Sequence, residues 1–129
     1  MPATGAARTA LVVEDDVDIG TLLQWVLERE GFEVTLLGDG RQALERIAAG
    51  PPTGLVLLDV MLPHASGYEL LLALRSDARW KPVPVIMLTA KSQEQDIVKA
   101  LDAGASDYIP KPFQPAELRA RIRRLVSPA

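Results

Sequence analysis

The sequence predicts an α/β fold: a doubly wound, five-stranded parallel sheet in the order 2-1-3-4-5, with five helices. Two observations carry this. Short apolar runs alternate with stretches of helical periodicity five times over, and such alternation with short connections implies parallel pairing through right-handed crossovers. The apolar runs are also continuous rather than alternating, as in "LVLL" at 55–58, which suits strands covered by helices on both faces.

The elements follow in chain order. "TALVVED" reads as the first strand. Residues 17–30 carry Ile19, Leu22, Leu23, Val26 and Leu27 at helical spacing, with Gly31 as a stop. Asp16 is placed to start that helix, since a carboxylate favours the positive N-terminal end. "FEVTLL" (32–37) is the second strand, and "DGRQALERIAAG" a short helix with Asp39 as N-cap and Gly50 as stop. Pro51 and Pro52 turn the chain into the third strand, "GLVLLD". Residues 66–75 make a helix with Leu70, Leu71 and Leu74 inward. "VPVIMLT" (83–89) is the fourth strand, with Pro84 confined to its first residues because proline cannot donate to a ladder. Residues 92–103 form a helix stopped by Gly104, "SDYIP" is the fifth strand, and the last helix starts near Pro115 with Leu118, Ile122 and Leu125 on one face.

Composition narrows the function. The 129 residues suit a single domain spanning 1–129, with residues 1–7 as a loose N-terminal tail. Cysteine is absent, which excludes disulfides, thiolate metal sites and a cysteine nucleophile. No apolar run is long enough to span a bilayer, so no membrane role is expected, and the composition fits a cytoplasmic protein. A net charge of −3 argues against direct nucleic-acid binding by this domain, which calls for a basic face.

The polar residues fall at one place. In a parallel sheet, ligands bind outside the C-terminal ends of the strands, at the point where strand order reverses. Strand one ends in Glu14, Asp15 and Asp16, strand three in Asp59, strand four in Thr89, and strand five leads into Lys111. The order 2-1-3-4-5 sets Asp15 beside Asp59, then Thr89, then Lys111, in one crevice. Clustered carboxylates repel unless a cation is present, and oxygen ligands at an open site favour Mg²⁺ over Ca²⁺. Carboxylates, a divalent metal, a lysine and a hydroxyl together suit phosphoryl transfer. A carboxylate can itself attack phosphorus and form an aspartyl-phosphate.

The segments "LVVEDD", "LVLLDVMLPHASG", "VIMLTAK" and "GASDYIPKPF" resemble the receiver domains of two-component response regulators, and their separations along the chain also fit. The resemblance covers residues 8–126. It implies a flavodoxin-like fold and phosphorylation of Asp59 by a histidine kinase or phosphotransfer protein. It implies Mg²⁺ held by Asp15, Asp59 and the main-chain carbonyl of Met61, with Glu14 acting through water. Lys111 would pair with phosphoryl oxygens, Thr89 would donate to the phosphoryl group, and Tyr108 would be an aromatic switch turning inward when Thr89 moves. Gly67 and Pro63 would shape the loop after Asp59, small Ala90 would leave room, and the Lys111–Pro112 bond would be cis. The product of such a switch is a changed surface for an output partner or domain, not a released compound, so the resemblance implies a signalling protein rather than a turnover enzyme.

Within that family, "DYIPKPFQPAELRARIRRL" is similar to receivers of winged-helix transcription regulators, which use the helix-four, strand-five and helix-five surface to form homodimers. Glu117, Arg121, Asp96, Asp102 and Asp107 match, while Ile97 and Ser106 depart from the usual arginine and aspartate. The four arginines of the last helix (119, 121, 123 and 124) read as an exposed face balanced by neighbouring acids. His64 reads as a solvated loop histidine, since in this family a phosphohistidine belongs to the kinase. Trp25 lies off the apolar stripe of its helix, and Trp80 sits in a connection. Apolar Met61 and Lys91 beside the site cannot easily orient an attacking water, which predicts a long-lived phosphoryl group.

Three other readings are weaker. A phosphohydrolase of the haloacid-dehalogenase type needs a second aspartate two residues after the first, where this chain has Met61. A flavin carrier needs a phosphate cradle after the first strand, where this chain has "EDDVD". A receiver that is only a scaffold is at odds with the complete set of Asp15, Asp59, Thr89 and Lys111.

Overall fold

The computed structural model describes residues 8–90 and 94–126. The tail at 1–7 and Lys91 lie outside the described residues. Five strands, β1 (Thr9–Val13), β2 (Glu33–Leu37), β3 (Leu55–Asp59), β4 (Val85–Thr89) and β5 (Asp107–Pro110), alternate with five helices. The helices are α1 (Val17–Arg29), α2 (Gly40–Ala49), α3 (Gly67–Ser76), α4 (Glu94–Asp102) and α5 (Pro115–Leu125). All pairings are parallel and the sheet order is β2-β1-β3-β4-β5.

Successive side chains on a strand point to opposite faces, and here both faces are covered. Leu11, Val13, Val56, Leu58, Val85 and Met87 pack with Ala43, Ile47, Leu70, Leu71, Leu74 and Ala100, so α2, α3 and α4 lie on one side. Ala10, Val12, Leu55, Leu57, Ile86, Leu88 and Ile109 pack with Leu23, Val26, Leu27, Leu118 and Ile122, so α1 and α5 lie on the other. This double cover is why the central strands read as unbroken apolar runs.

Local chemistry sets the helix ends. Asp16 caps α1 by accepting from Ile19 N at 3.0 Å. Asp39 caps α2 by accepting from Arg41 N at 2.6 Å and Gln42 N at 3.3 Å. Ser66 and Glu69 form a reciprocal capping box at α3. Gly31 and Gly104 leave α1 and α4 in left-handed backbone, φ 89° and 109°.

Two expectations are corrected. β2 is only half-buried, because it is an edge strand with one neighbour. β4 starts at Val85, and Pro84 stands before it, its carbonyl accepting from Val56 N at 3.0 Å. Trp80 does sit in the connection between α3 and β4, and it belongs to the core. It is fully buried, and its indole N–H donates to the Ile47 carbonyl at 3.0 Å, fixing the end of α2.

Candidate functional site

The site lies at the C-terminal ends of β1, β3, β4 and β5. Glu14 directly follows β1, and its amide donates to the Leu37 carbonyl at 2.9 Å. Its side chain turns inward and is buried, whereas Asp15 is exposed. Asp59 ends β3 and is 7% exposed. The chain then turns sharply: Met61 N donates to Asp59 Oδ1 at 3.1 Å, and Gly67 N to the Val60 carbonyl at 2.9 Å. Thr89 ends β4 and is fully buried. Past β5, Lys111 N donates to the Thr89 carbonyl at 2.8 Å, and the Lys111–Pro112 bond is cis.

These connections bring Lys111 Nζ to 2.6 Å from Glu14 Oε1 and 2.9 Å from Asp59 Oδ2. Carboxylate oxygens of Glu14, Asp15 and Asp59 fall within 4.8 Å of one another. Burial pushes the Glu14 carboxyl above its ordinary range, against the hydrogen bond from Lys111. Burial also works against the Lys111 ammonium, but the bonds to Glu14 and Asp59 prevail and hold it above its ordinary value. Lys111 is therefore a fixed cation. A single ammonium does not balance three carboxylates, and an all-oxygen donor set without His or Cys fits a hard divalent cation.

Tyr108 is buried on β5, and that burial raises its hydroxyl to about 12, with Tyr68, Asp96 and Asp59 adding to it. Tyr68, at the start of α3, donates to the Asp96 carbonyl at 3.3 Å, and Lys99 Nζ lies 4.2 Å from its ring centroid. This tie between α3 and α4 had no signature in the sequence. Met61 is 61% exposed and flanks an open groove bounded by Asp15, Pro63, Tyr68 and Lys99.

The remaining polar residues divide between two jobs. The α5 arginines reach inward as well as outward: Arg121 and Arg124 bind Asp107, while Arg119 and Arg123 bind Glu30. His64 is exposed as expected, yet it is not merely solvated, because its Nδ1 meets Asp39 Oδ2 at 2.5 Å. Trp25 is half-exposed beneath the Arg29 guanidinium, 5.1 Å from its centroid.

Residues 10–123 match the family described as the response regulator receiver domain, and the chain belongs to that family. It is a receiver of two-component signal transduction, with the five-stranded parallel architecture of that class. Among its relatives is the DNA-binding response regulator MtrA of Mycobacterium tuberculosis, 48% identical over 113 residues, covering 88% of this chain and 48% of that protein. Another is the phosphate regulon transcriptional regulatory protein PhoB of Klebsiella pneumoniae, 43% identical over 125 residues, covering 95% of this chain and 54% of that protein. The chain thus spans about half the length of these curated relatives. The receiver domain of the sensor histidine kinase PA1611 from Pseudomonas aeruginosa superposes with a TM-score of 0.82 at 34% identity, over 92% of this chain and 97% of that one. That crystal structure has a magnesium ion coordinated in its active-site cleft. No helix among the described residues is long and apolar enough to cross a membrane.

Proposed function

We propose that Asp59 accepts a phosphoryl group from the phosphohistidine of a histidine kinase or phosphotransfer protein, and that this changes the surface of α4, β5 and α5. One observation carries the reading: Lys111 bridges Asp59 and Glu14 beside Asp15, at the strand ends where Thr89 also sits. In the transfer, an Asp59 carboxylate oxygen bonds to phosphorus as the bond from phosphorus to the donor imidazole nitrogen breaks, and the imidazole keeps the electron pair. Asp15, Asp59 and the Met61 carbonyl would hold Mg²⁺, with Glu14 acting through water, and the ion would supply positive charge to the equatorial oxygens. Lys111 pairs with the same oxygens. The acyl phosphate carries about −1.5 to −2 charge units, where the free carboxylate carries one, and it adds acceptor oxygens; these draw Thr89 and Lys111 and bias the packing around Tyr108.

On this reading residues 1–129 are a single receiver domain working in the cytoplasm. It catalyses its own phosphorylation and dephosphorylation without being a turnover enzyme, and it does not itself bind nucleic acid or membrane. Apolar Met61 supports a long-lived phosphoryl group. An output domain or partner reads the changed face. The same face supports a phosphorylation-dependent homodimer: Val98 and Leu101 of α4 are 47% and 46% exposed, and the pair of Arg121 with Glu117 on α5 lies open to solvent. Two positions stay out of any such ion-pair network, since Ile97 packs on the core and Ser106 Oγ accepts from Val85 N.

The test is intact mass after incubation with acetyl phosphate and Mg²⁺, beside an Asp59→Asn control. Gain of one phosphoryl group, absent in the control and absent without Mg²⁺, is the expected outcome. No gain in the intact protein would make the fold a scaffold without its switch.

A further inference from the structure

Among the described residues, His64 alone combines a side chain with left-handed backbone, at φ 71°. That conformation is unfavourable for a residue with a Cβ, and glycine or asparagine adopts it far more readily. Burial does not hold His64 there, because its side chain is 55% exposed. Its side-chain bond to Asp39 holds it there, together with the backbone bond that Ala65 N makes across it to the Pro63 carbonyl. Nδ1 faces a carboxylate oxygen at 2.5 Å, so Nδ1 carries the proton and donates, whether the ring is neutral or charged. Asp39 is itself fixed, since its other oxygen caps α2.

The contact is one part of a clamp. Gly40 N donates to the Pro63 carbonyl at 3.0 Å. A Cβ on Gly40 would lie 2.2 Å from the Ala65 carbonyl oxygen, so the loop presses directly on the start of α2. Ala65 N donates to the same Pro63 carbonyl at 2.9 Å. Residues 63–65 are thereby tied to α2, and two positions before Pro63 stands Met61, whose amide is bonded to Asp59. Between the two anchors at Asp59 and at 63–65 there is little slack.

We propose that His64 is a positioning residue: its bond to Asp39 holds the β3–α3 loop in the shape that presents the main-chain carbonyl of Met61 to a divalent cation. The inference rests on the metal site of the proposed function. Its distinctive feature is that the strain and the bond can be removed separately. His64→Gly removes both, His64→Asn keeps a left-handed-tolerant residue with an amide donor, and Asp39→Ser removes the partner while keeping a good N-cap.

The experiment titrates the intact protein with Mn²⁺ by electron paramagnetic resonance and records melting temperature without metal. His64→Gly is expected to melt no lower than the parent yet to bind Mn²⁺ about tenfold more weakly, as when a group that orients a metal ligand is lost. Asp39→Ser should weaken binding to the same extent, the double variant no further, and His64→Asn should recover most of it. Parent binding that survives unchanged in His64→Gly and Asp39→Ser overturns the inference alone. Absence of Mn²⁺ binding in the parent overturns the metal site and the inference with it.

Discussion

At Gly67 a missing side chain decides whether the acceptor loop can close. A Cβ there would lie 2.2 Å from the Asp59 carbonyl oxygen and 2.9 Å from Val60 Cα, both backbone atoms with no freedom to move aside. Gly67→Ala should therefore cost about 1–3 kcal/mol, as overpacking does. It should also suppress phosphorylation by acetyl phosphate in the fraction that stays folded. Urea unfolding and intact mass check the two halves separately, and an alanine variant with parental stability would mean the turn relaxes freely. Single residues also show where sequence reading stops. Asp15, Asp59, Thr89 and Lys111 could be brought together from topology alone, because each ends a strand or lies within two residues of its end. The pairing of His64 with Asp39 could not, since it depends on the left-handed turn within a loop. Trp80 was equally opaque, for its meaning lies in a bond to the end of a helix formed over thirty positions earlier.

Elements are joined by charges that the sequence showed only as a crowd. The four arginines of α5 separate into two sets by helix geometry, with Arg119 and Arg123 reaching across to α1 and Arg121 and Arg124 gripping β5. Which way α5 faces depends on how Leu118 and Ile122 seat on the sheet, so composition could show the balance of charge but not its partners. Glu30 is the centre of the first set, at 2.7 Å from Arg119 Nε and 2.9 Å from Arg123 Nε. The hydrogen bond from Arg123, with that from Arg119, holds its carboxyl below the ordinary 4.5 in spite of burial. A carboxyl lowered by folding adds stability above its unfolded value, and that stability is lost as pH falls through the folded value. Glu30→Gln should therefore cost about 1 kcal/mol at neutral pH. The gap from the parent should close as pH drops below 4.5. Denaturant unfolding across that range tests it, and a gap that persists in acid would show that packing, not charge, joins α1 to α5.

The whole molecule is built around a charge imbalance at one sheet edge. Glu14, Asp15 and Asp59 meet a single ammonium, and Glu14 is the carboxyl that burial raises above 4.5. A raised carboxyl stabilises the fold below its unfolded value, and that contribution is lost as pH rises through the folded value. Lys111, raised above 10.5, keeps its charge throughout the neutral range and cannot compensate further. The metal-free fold should then be penalised at neutral pH relative to mildly acidic pH, while a divalent cation binds best where the carboxylates are ionised and releases protons as it binds. A cation that binds only the folded state adds about 2.7 kcal/mol at a hundred times its Kd. Mg²⁺ should raise Tm more at neutral pH than near pH 4.5, since burial shifts Glu14 toward its protonated form as pH falls. Asp59→Asn removes one of the three repelling charges, so it should raise Tm without metal and largely abolish the Mg²⁺ increment. Differential scanning calorimetry of the two proteins, with and without Mg²⁺ at both pH values, decides the matter. An increment equal in parent and variant would place the ion elsewhere, and the edge would then owe its carboxylates to something other than the cation that phosphoryl transfer needs.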